Sequence, residues 1–167
     1  MDIRVLVGAD APAFQRLRLE GLRDFPTAFA THYEEERDIA IETVAARLEQ
    51  AADRAICGAF VHGSLAGIVG VERDGRRNLR HKALIWGMYV TPAQRRQGIG
   101  QALLEYVVSY AAKMPGLRQV NLWVNAANAS TVALYRNAGF EPFGVERAFL
   151  IVDGAPQDLI CMVRVLE

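Results

Sequence analysis

The stretch from Gly87 to Gly100, GMYVTPAQRRQGIG, decides the order of elements at the centre of the chain. It predicts an apolar strand ended by Pro92, a basic turn with two glycines, and the start of a helix. The first N–H groups of a helix lack partners within it and carry the positive end of its dipole. Because glycines let a diphosphate approach the backbone closely, the turn is a candidate anion site, with Arg95 and Arg96 placed to neutralise the charge. The alternative is an ordinary strand–loop–helix joint with surface arginines.

Two well-known phosphate loops do not fit this stretch. A P-loop ends in Gly-Lys-Ser/Thr, whereas Gly100 is followed by Gln101. A dinucleotide fingerprint needs Gly or Ala three residues after its second glycine, and that position is Leu103. The remaining pattern is Arg-x-x-Gly-x-Gly, preceded by Val90-x-Pro92. In residue types and spacing it resembles the acetyl-coenzyme A (acetyl-CoA) pyrophosphate loop of the GNAT superfamily of N-acetyltransferases.

Length and composition favour one globular domain, residues 1–167, with a sizeable core. The 19 basic and 19 acidic residues cancel, which argues against a nucleic-acid partner. The first residues do not form a signal peptide, and no apolar run approaches the roughly 18 residues of a membrane span. We therefore expect a cytoplasmic protein with no membrane partner.

Cysteines and histidines give no sign of a disulfide or of a metal site. Cys57 and Cys161 each lie in an apolar, strand-like segment and are predicted to be core thiols. His32 and His62 lack metal-ligand partners at useful spacing, so no metal is expected.

The hydrophobic pattern predicts an α+β fold with a mixed, mostly antiparallel sheet flanked by helices, an order that resembles the GNAT fold. Short turns such as Gly63-Ser64 join antiparallel strands, whereas a strand–helix–strand unit in the middle of the chain is parallel. A helix break is expected near residues 38–42, Asp10 is a candidate helix N-cap and Gly139 a candidate C-cap. The predicted strands cover residues 2–7, 54–62, 65–74, 82–91, 120–124, 140–152 and 159–165, and the predicted helices cover 10–24, 30–50, 97–113 and 130–137.

A second motif, residues 128–140, resembles the GNAT segment that follows the fifth strand. In that family the segment places an Asn near the pantetheine arm and a Tyr near the thioester sulfur, which implies these roles for Asn128 and Tyr135. The two residues are seven apart, so they lie on one face of a helix. The alternative is that Asn128 is only a helix N-cap and Tyr135 a half-buried core tyrosine.

The resemblance implies an acetyl-CoA-dependent N-acetyltransferase that moves acetyl directly from the thioester to an amine of a small molecule or protein. It implies that the Met88 N–H donates to the thioester oxygen, beside a bulge that Gly87 tolerates, and that the Val90 backbone pairs with pantetheine. Tyr135 would protonate the leaving thiolate. The implied cofactor-binding residues are Met88, Val90, Arg95, Arg96, Gln97, Gly98, Ile99, Gly100, Gln101, Asn128 and Tyr135.

The general base is the part of the family pattern that this sequence lacks. Many relatives carry a glutamate on the fourth strand, but residues 83–90 contain no carboxylate and no histidine. Glu72, His81 and the cluster Glu34 to Glu36 are candidates, either as a base or as lining for a cationic amine, although each also suits an ordinary surface position. The alternative is that the protein has no general base, and that water or groups of the cofactor take the proton.

Aromatic side chains are further candidates for an acceptor pocket. Strict alternation places Trp86 and Met88 on one face of the predicted strand and Tyr89 on the other. These rings and Trp123 either line that pocket or pack in the core. Two other functions stay open: a non-catalytic acyl-CoA sensor and a partner-binding module on the same fold. The resemblance also allows a homodimer.

Overall fold

A seven-stranded sheet organises the fold in the computed structural model, which describes residues 1–49 and 51–166. The strands lie in the order β1-β2-β3-β4-β5-β7-β6. The strands are β1 (Asp2–Val5), β2 (Arg54–Val61), β3 (Ser64–Arg73), β4 (Lys82–Val90), β5 (Gln119–Asn125), β6 (Glu141–Val152) and β7 (Ala155–Val165), and the helices are α1 (Ala11–Asp24), α2 (Tyr33–Glu36), α3 (Ile41–Leu48), α4 (Ile99–Ala112) and α5 (Ala129–Asn137).

The predicted mixed sheet is confirmed, with β4 at its centre. β4 and β5 pair in parallel because α4 carries the chain back between them, and the other neighbouring strands pair antiparallel. The two strands pair over only a short length, Lys82–Leu84 with Gln119–Asn121. Beyond Leu84 the strands separate, and residues 85–90 continue without pairing to β5.

Helices cover the two faces of this sheet at different places. On one face α4 buries Leu103, Leu104 and Val107 against β2, β3 and β4. On the other face α1 and α3 form a second core cluster that includes Tyr89 of β4. Cys57 and Cys161 are buried and free, as predicted. Among the described residues, no helix combines the length and apolar character that crossing a bilayer requires.

Local differences from the sequence predictions have simple causes. The first hairpin turns at His62-Gly63, one residue earlier than predicted, and both residues have positive φ, +49° and +78°, as a type I′ turn requires. The break predicted in the helical region 30–50 is present, since α2 ends at Glu36 and α3 begins at Ile41; Gln50 lies outside the described residues. Asp10 holds the predicted N-cap position of α1, but its carboxylate accepts hydrogen bonds from Arg4 and the backbone N–H of Val7 instead of from the first turn of the helix. Gly139 has φ +80°, in agreement with the predicted C-cap.

Candidate active site

A bulge interrupts β4 next to the point where it leaves β5. Trp86 pairs with Gly70 of β3 and Tyr89 pairs with Ile68, so Gly87 and Met88 together face a single residue. Gly87 takes φ +66°, a conformation that glycine adopts without steric cost. The bulge expected beside Met88 is therefore present.

The bulge also corrects the predicted faces of β4. The extra residue shifts the alternation, so Trp86 and Tyr89 both lie on the face covered by α1, whereas Met88 packs into the α4 cluster. Of the weighed aromatic residues, Tyr89 is buried in the core, Trp86 borders a cavity on the α1 face, and Trp123 is 40% exposed.

The turn before α4 presents an uncapped helix N-terminus. Gly98 holds the N-cap position with φ +80°, and no side chain of the described residues caps the helix there. Arg96, Gln97 and Gly98 are exposed, whereas the side chain of Ile99 is buried in the core. The first N–H groups of α4 are therefore available to an anion from outside.

Arg95 occupies a different position from Arg96. Its Nε donates a 2.8 Å hydrogen bond to the carbonyl of Val90, and its guanidinium lies 4.3 Å from the centre of the Phe25 ring. This carbonyl belongs to the stretch of β4 that has no partner in β5. Arg95 thus covers part of the open strand edge in this structure.

Asn128 and Tyr135 sit at opposite ends of α5. The Asn128 Oδ1 caps the helix, accepting hydrogen bonds from the Thr131 N–H at 3.2 Å and the Ser130 hydroxyl at 3.1 Å. Tyr135 is buried, with its ring edge-on to Phe140 at 5.9 Å. Burial raises the pKa of the Tyr135 hydroxyl, so this group holds its proton.

A cavity of about 270 Å³ opens between the helices α1, α2 and α3 and the strands β2 to β4. One of the lining residues is Arg18, a charged residue that is nevertheless 93% buried. The Nε and Nη2 of Arg18 both donate to the Glu36 carboxylate, at 3.3 and 3.2 Å. The remaining Arg18 Nη1 and the Trp86 Nε1 are buried without hydrogen-bond partners among the described residues.

The candidate bases are distributed over several places. Glu34 pairs with Arg37 at 2.6 Å, and Glu35 accepts a 2.7 Å hydrogen bond from the backbone N–H of His32. Only Glu36 of this cluster reaches the cavity, where Glu72 is a second, more exposed carboxylate. His81 precedes β4, at the end where β4 pairs with β5.

Sequence reasoning missed two side chains of α1. Glu20 accepts hydrogen bonds at 2.9 Å from the hydroxyls of Tyr89 and Thr91, which fixes α1 against the end of β4. Arg18 lies on the apolar stripe of α1 between Leu17 and Leu22. Helical periodicity alone places Arg18 on the buried face of α1, and a charged residue on a buried face is unusual enough to mark a candidate functional residue.

Comparison with known proteins agrees with this architecture. The model of the acetyltransferase (GNAT) family matches residues 15–140, three quarters of the chain. The chain belongs to the GNAT family.

Curated relatives share the central part of the chain. The [ribosomal protein bS18]-alanine N-acetyltransferase of Escherichia coli K12 is 33% identical over 81 residues, 48% of this chain and 54% of that protein. The N-alpha-acetyltransferase RimI of Mycobacterium tuberculosis is 35% identical over 98 residues, 59% of each chain. The chain therefore matches little more than half the length of these relatives.

Solved structures share the fold over nearly the whole chain. A GNAT-family acetyltransferase from Streptococcus pneumoniae superposes with a TM-score of 0.86 at 22% identity, covering 99% of both chains. The yncA protein of Salmonella typhimurium, solved with acetyl-CoA, gives a TM-score of 0.88 at 20% identity, covering 100% of this chain and 94% of that one. At these identities the likeness concerns the fold.

Proposed function

We propose that this protein is an acetyl-CoA-dependent N-acetyltransferase whose acceptor is an amine of a small molecule or a protein. The bulge at Gly87-Met88 carries the proposal. It lies on the strand edge that β5 leaves uncovered, where a backbone N–H can point toward a ligand instead of a neighbouring strand. Family membership and the acetyl-CoA bound to yncA support the same activity.

The proposed cofactor site runs from this bulge to the start of α4. When bound, acetyl-CoA supplies the activated acetyl thioester. The backbone of the Arg95–Gln101 segment is suited to hold the diphosphate, because the N–H groups of the first helical turn are uncapped and Arg96 is exposed beside them. Val90 is assigned to pair with pantetheine through its backbone, which requires Arg95 to release the Val90 carbonyl. Asn128 is assigned to the pantetheine arm.

The proposed reaction is a direct transfer. The amine nitrogen bonds to the carbonyl carbon while the carbon–sulfur bond breaks, so the amine loses one proton and the sulfur gains one. The Met88 N–H donates to the carbonyl oxygen, where negative charge develops. The Tyr135 hydroxyl gives its proton to the sulfur and is reprotonated from solvent, which also takes the proton of the amine.

A turnover assay tests this function. Thiol release from acetyl-CoA is followed with a panel of small amines, amino acids and short peptides, with acetyl-CoA alone as the blank. Amine-dependent release with an N-acetylated product by mass spectrometry is the expected result. Binding of acetyl-CoA without turnover of any amine would favour a sensor, and absence of binding would leave a partner-binding module.

We also propose that residues 1–167 act as one domain, because their strands form one sheet.

A further inference from the structure

Two buried hydrogen-bond donors that have no partner among the described residues belong to side chains that line one cavity beside β4. They are the Nη1 of Arg18 and the Nε1 of Trp86, and both residues line the cavity between α1 and the sheet. A buried donor without a partner is costly and therefore rare in folded proteins. Two of them at one cavity point to a ligand that accepts hydrogen bonds.

The Arg18 guanidinium is held in a fixed orientation. Glu36 takes two of its nitrogens, and the ring of Phe29 lies 4.9 Å from its central carbon. The third nitrogen is next to the bulge, since a Cβ at Gly87 would lie 3.5 Å from Nη1. The free donor therefore sits one residue from Met88, the residue assigned to the thioester oxygen.

The Trp86 indole is placed by its opposite neighbour. Gly70 pairs with Trp86 across β3 and β4, and any side chain at Gly70 would collide with the indole ring. The ring therefore lies flat on β3 and borders the cavity on the same side as Arg18. The bulge is what turns Trp86 to this face, as described above.

We propose that the cavity binds the carboxylate of a free α-amino acid, and that the α-amine of this amino acid is the acetyl acceptor. This inference rests on the proposed acetyltransferase function. One cationic and one neutral N–H donor match a carboxylate, which accepts through two oxygens. Glu36 borders the same cavity with a negative charge that suits the ammonium group. Arg47, Glu49, Arg54 and Glu72 also line the cavity, so it offers charges of both signs to a zwitterion.

The position of Arg18 limits the acceptor to an α-amine. Because Arg18 Nη1 adjoins the bulge, a carboxylate bound there lies beside the reacting carbonyl carbon, and an amine on the adjacent carbon is the one within reach. Phe14, Leu48 and Ile56 contribute apolar lining. A volume of about 270 Å³ suits a single amino acid with an apolar side chain.

Matched amines test the carboxylate directly. Leucine is compared with 3-methylbutylamine, which lacks only the carboxylate, and with the dipeptide leucyl-glycine, while acetyl-CoA binding is measured separately by calorimetry. We expect leucine to exceed both in kcat/KM by at least about tenfold, because a site with polar groups left unpaired rejects a ligand that lacks their partner.

Variants connect the preference to the two donors. Trp86→Phe keeps an aromatic ring and removes the N–H donor. Arg18→Lys keeps the positive charge and removes the planar guanidinium with its several donors. Each variant should raise the KM for leucine about tenfold or more. In both variants the ratio of kcat/KM for leucine to kcat/KM for 3-methylbutylamine should fall about tenfold or more, a change that a general loss of activity would not produce. Arg23→Gln, a loss of charge at an exposed position of the same helix, serves as the control with unchanged kinetics.

Two results would overturn the inference while leaving the proposed function intact. One is acetylation of 3-methylbutylamine or leucyl-glycine as efficient as that of leucine, and the other is an unchanged leucine KM in both variants. Acetyl-CoA binding without acetylation of any free amino acid would also overturn it. Failure to bind acetyl-CoA would instead overturn the proposed function, and this inference with it.

Discussion

Tyr135 is the side chain whose surroundings most restrict its chemistry. It is buried against Phe140, and burial raises the pKa of its hydroxyl. The phenol therefore stays protonated throughout the neutral and moderately alkaline range. In this state it can give a proton to a leaving thiolate but cannot act as the base that deprotonates an amine.

Replacing Tyr135 with Phe separates this role from packing. Tyr135→Phe should lower kcat by about a hundredfold, the effect typical of losing a general acid, with little change in acetyl-CoA affinity. Tyr110→Phe, which removes a hydroxyl from α4, should leave kcat unchanged. Steady-state kinetics and calorimetry on both variants measure the two effects. Equal kcat in Tyr135→Phe and the wild type would exclude the proton-donor role.

The same burial predicts the alkaline side of the pH profile. Because the pKa of Tyr135 is raised, its deprotonation should not limit kcat as the pH passes 10, the ordinary tyrosine value. We expect kcat with a saturating amine to hold or rise from pH 7 to 10. A fall in kcat that disappears in Tyr135→Phe would mean that the hydroxyl ionises in this range.

Among the elements, β4 depends most on a single backbone conformation. Gly87→Ala places a side chain at φ +66°, which costs about 1 kcal/mol, although the added Cβ would make only an ordinary 3.5 Å contact with Arg18. Unfolding in urea should show this loss, together with reduced kcat/KM. Gly144→Ala in β6 is the control. Its added Cβ would have no atom within 4 Å, so the free energy of unfolding should change little. An active Gly87→Ala variant of full stability would argue against a functional bulge.

A second element-scale contact joins β1 to the start of α1. Arg4 donates to both oxygens of Asp10, at 2.7 and 2.8 Å, and this hydrogen bonding is the main reason that the pKa of Asp10 lies below its ordinary value. Because the folded state holds the ionised form, the contact stabilises the fold above the unfolded pKa of about 4. The stabilisation is lost as the pH falls through the lower folded pKa.

Asp10→Asn measures this contribution. At pH 7 the free energy of unfolding of the variant should be about 1 kcal/mol lower than that of the wild type. The difference is modest because Arg4 is partly exposed to solvent. The difference from the wild type should shrink steadily below pH 4. Asp153→Asn, in the exposed β6–β7 turn, should show no such pH-dependent difference. A constant difference for Asp10→Asn from pH 7 to pH 2 would assign the effect to packing.

At the scale of the whole molecule, the sequence predicts the frame better than the acceptor side. Apolar runs and turn residues locate all seven strands, and the glycine-arginine turn places the uncapped end of α4. Alternation assigns Trp86 to the wrong face because it assumes that successive residues of a strand point to opposite faces. The bulge in β4 adds one residue and breaks this alternation. The contact between the Arg95 guanidinium and the Phe25 ring joins residues 70 positions apart in the sequence, so no local sequence pattern predicts it.

The proposed cofactor site requires that the protein bind acetyl-CoA. The wild type is titrated with acetyl-CoA by calorimetry beside Gly98→Pro, which cannot adopt the φ of +80° found at the start of α4 and removes an N–H. Gly75→Ala, a change in another exposed loop, is the control, and circular dichroism checks that each variant folds. We predict saturable binding by the wild type and the control and its loss in folded Gly98→Pro. Equal binding by all three, or none by the wild type, would contradict the proposed cofactor site.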